Sequence, residues 1–336
     1  MINNDFLVIK KSIVEDIIKN QMDMVFDLVG KAYLLHGDNQ AHNPPSYFLR
    51  FPHKSNSRII ALPSYLGEGF NVAGIKWISS FPDNIKKGFQ RASAVFILND
   101  AETGYPLACM ESSYISAVRT AVSAVLAGEL LHKNDIKARK LAIIGTGFIA
   151  KTILDIFVER NWDFSEIYLF DKNEQDAIRF KNDESNAGQN IIVETDINNA
   201  LTKADTVVFA TTALEPYLND PKVFSHSPVV LHVSLRDLSP EVILNGTNFV
   251  DDIEHVLNAN TSVDLAYQKV GHHDFINGTI IDLIKGNTDI GVNKPLIFSP
   301  MGMGILDLAL ASFIYDKAKD EGIGVSIEDF FGDISR

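Results

Sequence analysis

Apolar positions fall into two different patterns along this chain. Before residue 111 they form short strand-like pieces: Phe6 to Ile9, Tyr47 to Phe51, Arg58 to Pro63, Phe70 to Ile78, Ala94 to Asn99 and Pro106 to Met110. The last five are separated by Pro, Gly, Asn and Asp, which predicts a mostly antiparallel sheet. Between the first two pieces, Ser12 to Leu28 reads as an amphipathic helix, with Ser12 as N-cap and Glu15 at the capping-box position. Residues 111 to 132 predict a long helix rich in Ala, Ser and Val with Arg119 inside it. From Leu141 onward the pattern changes to continuous apolar runs alternating with helical spacing, at Leu141 to Ile144, Glu166 to Phe170, Val193, Ala204 to Thr211, Val229 to Leu235 and Thr247 to Asp252. That succession predicts a doubly wound α/β domain ending near residue 295.

After Leu296 only a strand-like piece, the glycine-rich Ser299 to Gly304 and a helix from about Ile305 to Glu321 remain. So short a segment cannot bury a core of its own. The helix is therefore expected to return to the N-terminal sheet, placing the Gly302 loop in a cleft between domains. The expected division is 1–122 with 300–336 as an α+β substrate-binding and dimerisation domain, and 123–299 as a Rossmann domain.

The chain turns on Leu141 to Ala150. Four apolar residues read as a buried parallel strand, and Gly145-Thr146-Gly147-Phe148-Ile149-Ala150 is a G-x-G-x-x-A fingerprint between strand and helix. Gly147 and the helix N–H groups would face a pyrophosphate, and Ala150 lets the helix lie close to the strand. About twenty residues on, the second strand ends in Asp171, where ribose hydroxyls belong and a 2′-phosphate is repelled. NAD is expected rather than NADP, with the adjacent Lys172 as the one nearby feature of opposite sign.

Composition narrows the class. In 336 residues, 46% are hydrophobic and 22% charged, as in a soluble globular protein. A formal net charge of −13 argues against nucleic acid and anionic membranes as partners. No signal-peptide pattern precedes Asp5, so a cytoplasmic address is expected. The single Cys109 has apolar neighbours and is read as a buried thiol. The adjacent pair His272-His273 has no complementary ligand spacing, so no metal site is expected.

Several residues stand out as chemistry. Lys76, between Ile75 and Trp77 on an expected strand, reads either as a desolvated proton shuttle, as a carboxylate clamp, or as a stem reaching the surface. Arg119 lies among small apolar residues, which calls for an anion: a substrate carboxylate or an internal salt bridge. Arg50 and Arg58 are weaker candidates for a second carboxylate. Asp237 follows a buried strand in Ser234-Leu235-Arg236-Asp237, where an open α/β sheet lines its ligand crevice; it reads as acid, base or ammonium anchor, or as a helix N-cap. Thr211 and Thr212 follow another buried strand and are expected beside the nicotinamide ribose. Asp251 and Asp252 read as a strand end with substrate-side contacts.

In their order, Gly74-Ile75-Lys76, the Ser116 to Ala121 helix, Gly145-Thr146-Gly147, Asp237 and the Gly302 loop followed by Asp307 resemble the ornithine cyclodeaminase/μ-crystallin family. Arg91 to Ala94, Ser234 to Glu241 and Ser299 to Gly304 are most similar to its subgroup that makes 2,3-diaminopropionate for siderophores and peptide antibiotics. The resemblance implies a homodimer joined through the N-terminal domain, with NAD and a small amino-acid substrate. It implies carboxylate binding by Lys76 and Arg119 and catalysis by Asp237; the residues themselves add Arg50 as a further substrate candidate, Lys76 as a catalytic one, and cofactor contacts from the fingerprint, Asp171, Lys172, Thr211, Thr212, Ser234, Met301 and Gly302. The implied reaction oxidises a secondary amine to an imine that water cleaves. Cyclodeaminases carry a glycine-rich segment around this Asp, whereas Leu235-Arg236-Asp237-Leu238 stands here, which speaks against ornithine. A cyclodeaminase or imine oxidoreductase and a non-catalytic ligand-binding protein are the alternatives.

Overall fold

The computed structural model describes residues 5–137, 139–291 and 293–332. The chain opens with β1 (Phe6–Ile9), α1 (Lys11–Lys19) and α2 (Met22–Gly37). The single expected helix is in fact two: α1 buries Val14, Ile17 and Ile18, and the break falls at Gln21, whose φ of −138° and ψ of 37° are not helical. Ser12 is not the N-cap either. Lys10 occupies that position without a side-chain bond, and Ser12 lies inside the first turn.

Then follow β2 (Ala41–His42), β3 (Tyr47–Phe51), β4 (Lys54–Leu66), β5 (Val72–Ser80), β6 (Ala92–Asp100), β7 (Pro106–Glu111) and α3 (Ser113–Leu131). The β4 strand is twice the expected length because it pairs on both sides, with β3 and β2 along one edge and β5 along the other. α3 is long and apolar enough by composition to cross a membrane, but 67% of it is buried in protein.

The second half runs β8 (Arg139–Ile144), α4 (Phe148–Glu159), β9 (Phe164–Phe170), α5 (Glu174–Lys181), β10 (Ile191–Val193), α6 (Ile197–Lys203), β11 (Thr206–Phe209) and β12 (Val229–His232). It continues through α7 (Pro240–Leu244), β13 (Thr247–Val250), α8 (Ile253–Val256), α9 (Ser262–Val270), β14 (Ile276–Thr279), α10 (Ile280–Lys285) and β15 (Leu296–Phe298), and ends in α11 (Gly304–Asp320) and β16 (Val325–Ile327).

These elements make two compact units, residues 1–119 with 303–336, and residues 120–302. In the first, a sheet of order β16-β1-β7-β6-β5-β4-β2, with β3 added on β4, is antiparallel except for the β1–β7 pair. α11, buried nearly all round, packs on α2 and on β4 and β5, as a helix without a polar face must. In the second unit, all strands of the order β10-β9-β8-β11-β12-β15-β13-β14 are parallel. Strands β11, β12, β13 and β15 are buried at every position, and β8 over its last four residues, because both faces of a parallel sheet are covered. The strand-like piece after Leu296 belongs to this sheet, inserted between β12 and β13.

Candidate functional site

The first group of functional side chains lies in the unit 1–119 with 303–336. Register places Leu62, Lys76, Phe96 and Met110 in one cross-strand row on the face that α11 covers. Lys76 is only 1% exposed, so it does not reach the surface. Gly74, two residues earlier on the same face, has no room for a side chain: a Cβ would meet the Phe96 ring at 2.5 Å. The Lys76 ammonium donates to Asp307 Oδ2 at 2.7 Å and to Ser116 Oγ at 3.1 Å. Arg119 Nε lies 3.1 Å from the same Asp307 oxygen. Asp307, in the first turn of α11, is fully buried, and its Oδ1 has no hydrogen-bond partner among the described residues. Burial pushes the Lys76 amine down, Asp307 opposes this, Arg119 adds to it, and the net position is about 8. Two cations and one anion leave this buried triad with one uncompensated positive charge while Lys76 is protonated.

Arg50 is not brought to this group. It lies on the exposed β3, its guanidinium 5.3 Å from the Phe48 ring. The thiol of Cys109 is half-buried rather than buried, because alternation on β7 turns it away from the α11 side toward the opposite sheet face; partial burial raises its pKa.

The unit 120–302 carries the second group. Gly145 has φ +89°, and a Cβ there would meet the Ala210 carbonyl oxygen at 2.7 Å, so only glycine fits this turn. Gly147 is the N-cap of α4, has open space where a Cβ would stand, and leaves the first-turn N–H groups without a side-chain cap. A pyrophosphate suits such a place. Asp171, past the end of β9, accepts at Oδ2 from the Thr146 N–H (2.8 Å) and hydroxyl (2.9 Å), and at Oδ1 from the Asn173 N–H (2.9 Å). It thus fixes the glycine turn from the neighbouring strand end. Phe148 is half exposed, Ile149 half-buried, and Lys172 and Thr212 exposed. These residues fit the diphosphate and ribose of NAD.

Asp237 is fully buried, and four side chains converge on it. Oδ1 accepts from the Thr211 hydroxyl and, at 2.9 Å, from the Tyr217 hydroxyl. Oδ2 accepts from the Ser234 hydroxyl and faces His232 Nε2 at 3.2 Å. Burial alone would raise this carboxyl, but the bonds from His232, Ser234 and Thr211 outweigh it and hold the group below the usual carboxylate range. Tyr217, pushed up by burial and by the adjacent carboxylate, stays protonated as a donor. Asp237 is not a helix cap: Ser239 caps α7, accepting from the Val242 N–H. Arg236 donates to the Ala259 carbonyl at 2.7 Å.

His232 and Tyr217 were not anticipated. The available signal was a histidine closing an apolar strand five positions before Asp237. Asp251, fully buried past β13, accepts from the backbone N–H groups of Met301 (2.9 Å) and Gly302 (2.6 Å). Those two N–H groups are therefore already bonded to protein. Burial raises the Asp251 pKa against these bonds. Asp252 caps α8 through the His255 N–H. The His272 to Asp274 segment is an exposed loop, and no group of three or more His, Cys, Asp or Glu among the described residues is placed to hold a metal.

An all-parallel sheet with a glycine turn at the first strand end and an acidic residue at the second, in a chain whose other unit carries a buried cation pair, defines an NAD-dependent oxidoreductase of the type that acts on CH–NH bonds of amino acids and imines. The chain belongs to the ornithine cyclodeaminase/mu-crystallin family, whose model matches residues 10–322. It is 29% identical to the N-((2S)-2-amino-2-carboxyethyl)-L-glutamate dehydrogenase of Staphylococcus aureus over 97% of this chain and 99% of that one. It is 27% identical to the alanine dehydrogenase of Archaeoglobus fulgidus over 96% of this chain and 98% of the relative. Among solved structures, the Thermococcus litoralis Delta(1)-pyrroline-2-carboxylate reductase with NADH and L-proline matches with a TM-score of 0.85 and 26% identity, covering 96% of this chain and 100% of that one. An archaeal alanine dehydrogenase dimer with bound NAD matches with a TM-score of 0.83 and 25% identity, covering 96% and 99%.

Proposed function

We propose that the substrate is N-(2-amino-2-carboxyethyl)-L-glutamate, oxidised at the α-carbon of its glutamate part and hydrolysed to 2-oxoglutarate and 2,3-diaminopropionate. The observation that carries the reading is the buried Lys76–Asp307–Arg119 triad, whose spare positive charge matches a substrate carboxylate. The full-length similarity to the Staphylococcus aureus enzyme supports the choice among amino-acid substrates.

Bound NAD supplies the hydride acceptor. The chain's own residues do the rest. Lys76 and Arg119 hold a carboxylate, which orients the α-hydrogen. The secondary amine must be neutral to release a hydride, and the water that cleaves the imine must lose a proton; Asp237, ionised at neutral pH, serves both steps as acceptor. Purified protein with this substrate and NAD is expected to raise absorbance at the NADH band. A cyclodeaminase, which returns the hydride, would give product without net NADH; an imine reductase, as the Thermococcus similarity allows, would consume NADH with a cyclic imine instead.

We assign cofactor preference to Asp171. In Asp171→Ser the ratio of kcat/KM for NAD over NADP should fall by tenfold or more, on the order of one charge repulsion of about 1.4 kcal/mol. Equal use of both by the parent protein would refute the assignment.

The sheet face of the first unit opposite α11 is largely apolar, with Glu111 closing the row below at its β7 end. Register aligns Tyr47, Ala61, Trp77 and Val95 in one row, and Tyr47, Trp77 and Val95 are 82%, 41% and 39% exposed. A contiguous apolar sheet face of this kind is rarely left to water. We propose that a second copy covers it, as the dimeric archaeal relative supports. Trp77→Glu should run as a monomer in analytical ultracentrifugation where the parent sediments as a dimer.

A further inference from the structure

Asp237 has to accept a proton, yet it is 0% exposed, and four side chains of its own unit occupy both of its oxygens. Thr211 and Tyr217 donate to Oδ1, Ser234 donates to Oδ2, and His232 Nε2 faces Oδ2 at 3.2 Å. A carboxylate enclosed in this way does not touch a substrate amine. A proton reaches it only through a hydroxyl that covers it, which can take a proton on oxygen while passing its own inward.

The covering groups differ in what they have left to offer. The His232 ring is fully buried, with its other nitrogen 3.1 Å from Ser299 Oγ. The Thr211 oxygen already accepts from the Ala213 N–H at 3.1 Å. Tyr217 is 42% exposed, but burial is the largest cause of its raised pKa, so the exposed part is ring rather than hydroxyl. A phenol oxygen is also a poorer base than an aliphatic one. Ser234 is half-buried, and nothing among the described residues donates to its oxygen, whose lone pairs are therefore open. The corner that carries it is fixed. The Ser234 N–H is bonded to the Phe209 carbonyl at 3.0 Å, Leu235 stands at φ +74°, a left-handed conformation unfavourable for leucine, and the Leu235 carbonyl accepts from the Ser262 N–H at 2.7 Å. That turn brings Ser234 back onto Asp237 just past the carboxyl end of β12, where an open parallel sheet receives its ligands.

We infer that the Ser234 hydroxyl is the catalytic group that meets the substrate nitrogen and relays its proton to Asp237. The inference rests on Asp237 being the proton acceptor of amine oxidation, and supplies the route. One N–H bond of the substrate ammonium breaks as an O–H bond forms at Ser234, and the original Ser234 proton passes to Asp237 Oδ2. One proton enters the hydroxyl and one leaves it, no electron moves, and the amine is left neutral for hydride transfer.

With kcat read at saturating NAD, so that a lost cofactor contact does not enter, Ser234→Ala should fall on the order of 10²-fold or more. Tyr217→Phe should cost less. Ser234→Thr, which keeps the hydroxyl, should retain more than about a tenth of the parent kcat. A role in structure or in cofactor contact alone would add to the loss in Asp237→Asn. A relay would not: adding Ser234→Ala to Asp237→Asn should cost less than about threefold further, because the relay already lacks its end. Losses that add in the double variant, a Ser234→Ala loss under about tenfold, or a Ser234→Thr as slow as Ser234→Ala each overturn the inference. A Tyr217→Phe loss exceeding that of Ser234→Ala hands the relay to Tyr217 and overturns it too. In crystals of the dead-end complex of NADH with substrate, the substrate nitrogen should lie within hydrogen-bond distance of Ser234 Oγ; a nitrogen seated on an Asp237 oxygen overturns the inference. If the substrate named above gives no NADH, that assignment fails alone, and the same variants are read on an amino acid whose amine the parent does oxidise.

Discussion

Asp237→Asn is expected to bind NAD almost as the parent does and to lose turnover by a factor on the order of 10²–10⁴, the usual cost of removing a positioned acid or base. The loss has two parts. An amide cannot accept the proton of the amine or of the attacking water. It also presents two N–H donors to a ring of donors from Thr211, Tyr217, Ser234 and His232, so at least one buried hydroxyl or ring nitrogen loses its acceptor. An unsatisfied buried donor costs about 1–3 kcal/mol, and the variant should unfold at a lower temperature as well. NAD titration by fluorescence, kcat and a melting curve separate the two parts. Near-normal kcat would place the acceptor elsewhere, with Lys76 the leading candidate.

Asp307→Asn should do more damage to folding. It leaves Lys76 and Arg119 as like charges in a buried place with no counter-charge, and breaking a buried pair in this way costs about 3–5 kcal/mol. Part of that cost is relieved by deprotonation: Lys76 sits near 8 even with Asp307 beside it, and loses its main upward influence in the variant. Lys76 should then be neutral at pH 7.5, leaving Arg119 alone to meet a carboxylate. Expected readings are a markedly lower melting temperature and a raised KM at neutral pH. The parent carries the same logic at higher pH. Its triad bears a net positive charge below about 8 and none above, so substrate KM should climb as pH rises through that value, while a substrate carboxylate in place shifts the climb upward. A KM flat from pH 6.5 to 9.5 would mean that the Lys76 charge does not serve binding.

What sequence could reveal here was local. The glycine turn, the acidic strand end at Asp171 and the alternation of apolar runs are short-range signals, and Rossmann architecture follows from them. Lys76 and Arg119 were conspicuous as cations in apolar surroundings. Their anion was not, because Asp307 lies 231 positions from Lys76 and reaches it only when α11 is laid on the sheet. For the same reason the Asp251 bonds to Met301 and Gly302, which span 50 and 51 positions, were invisible, and the acidic pair was read as facing substrate. Errors nearer home had a different origin. Ser12 and Glu15 have capping-box spacing, but the helix starts one residue earlier, at Lys11, and the motif falls inside it. The exposed Arg50 was an attractive cation only as long as the strand it sits on had no register.

The place of β15 in its sheet bears on how the protein is made. Residues 296–298 stand between β12 and β13, which contain residues 229–232 and 247–250, and α11 at 304–320 supplies the cover for β4 and β5. The second sheet cannot close before residues 296–298 are in place, nor the first core before residues 304–320 are. A nascent chain stopped near residue 290 would expose the edges of β12 and β13 and the uncovered face of β5, with Lys76 denied its partner. Such contacts, long in sequence separation, close slowly. A chain cut thirty residues short would keep β15 but lose most of α11, so the first unit, with the face of β4 and β5 uncovered, would be the part left open to proteolysis.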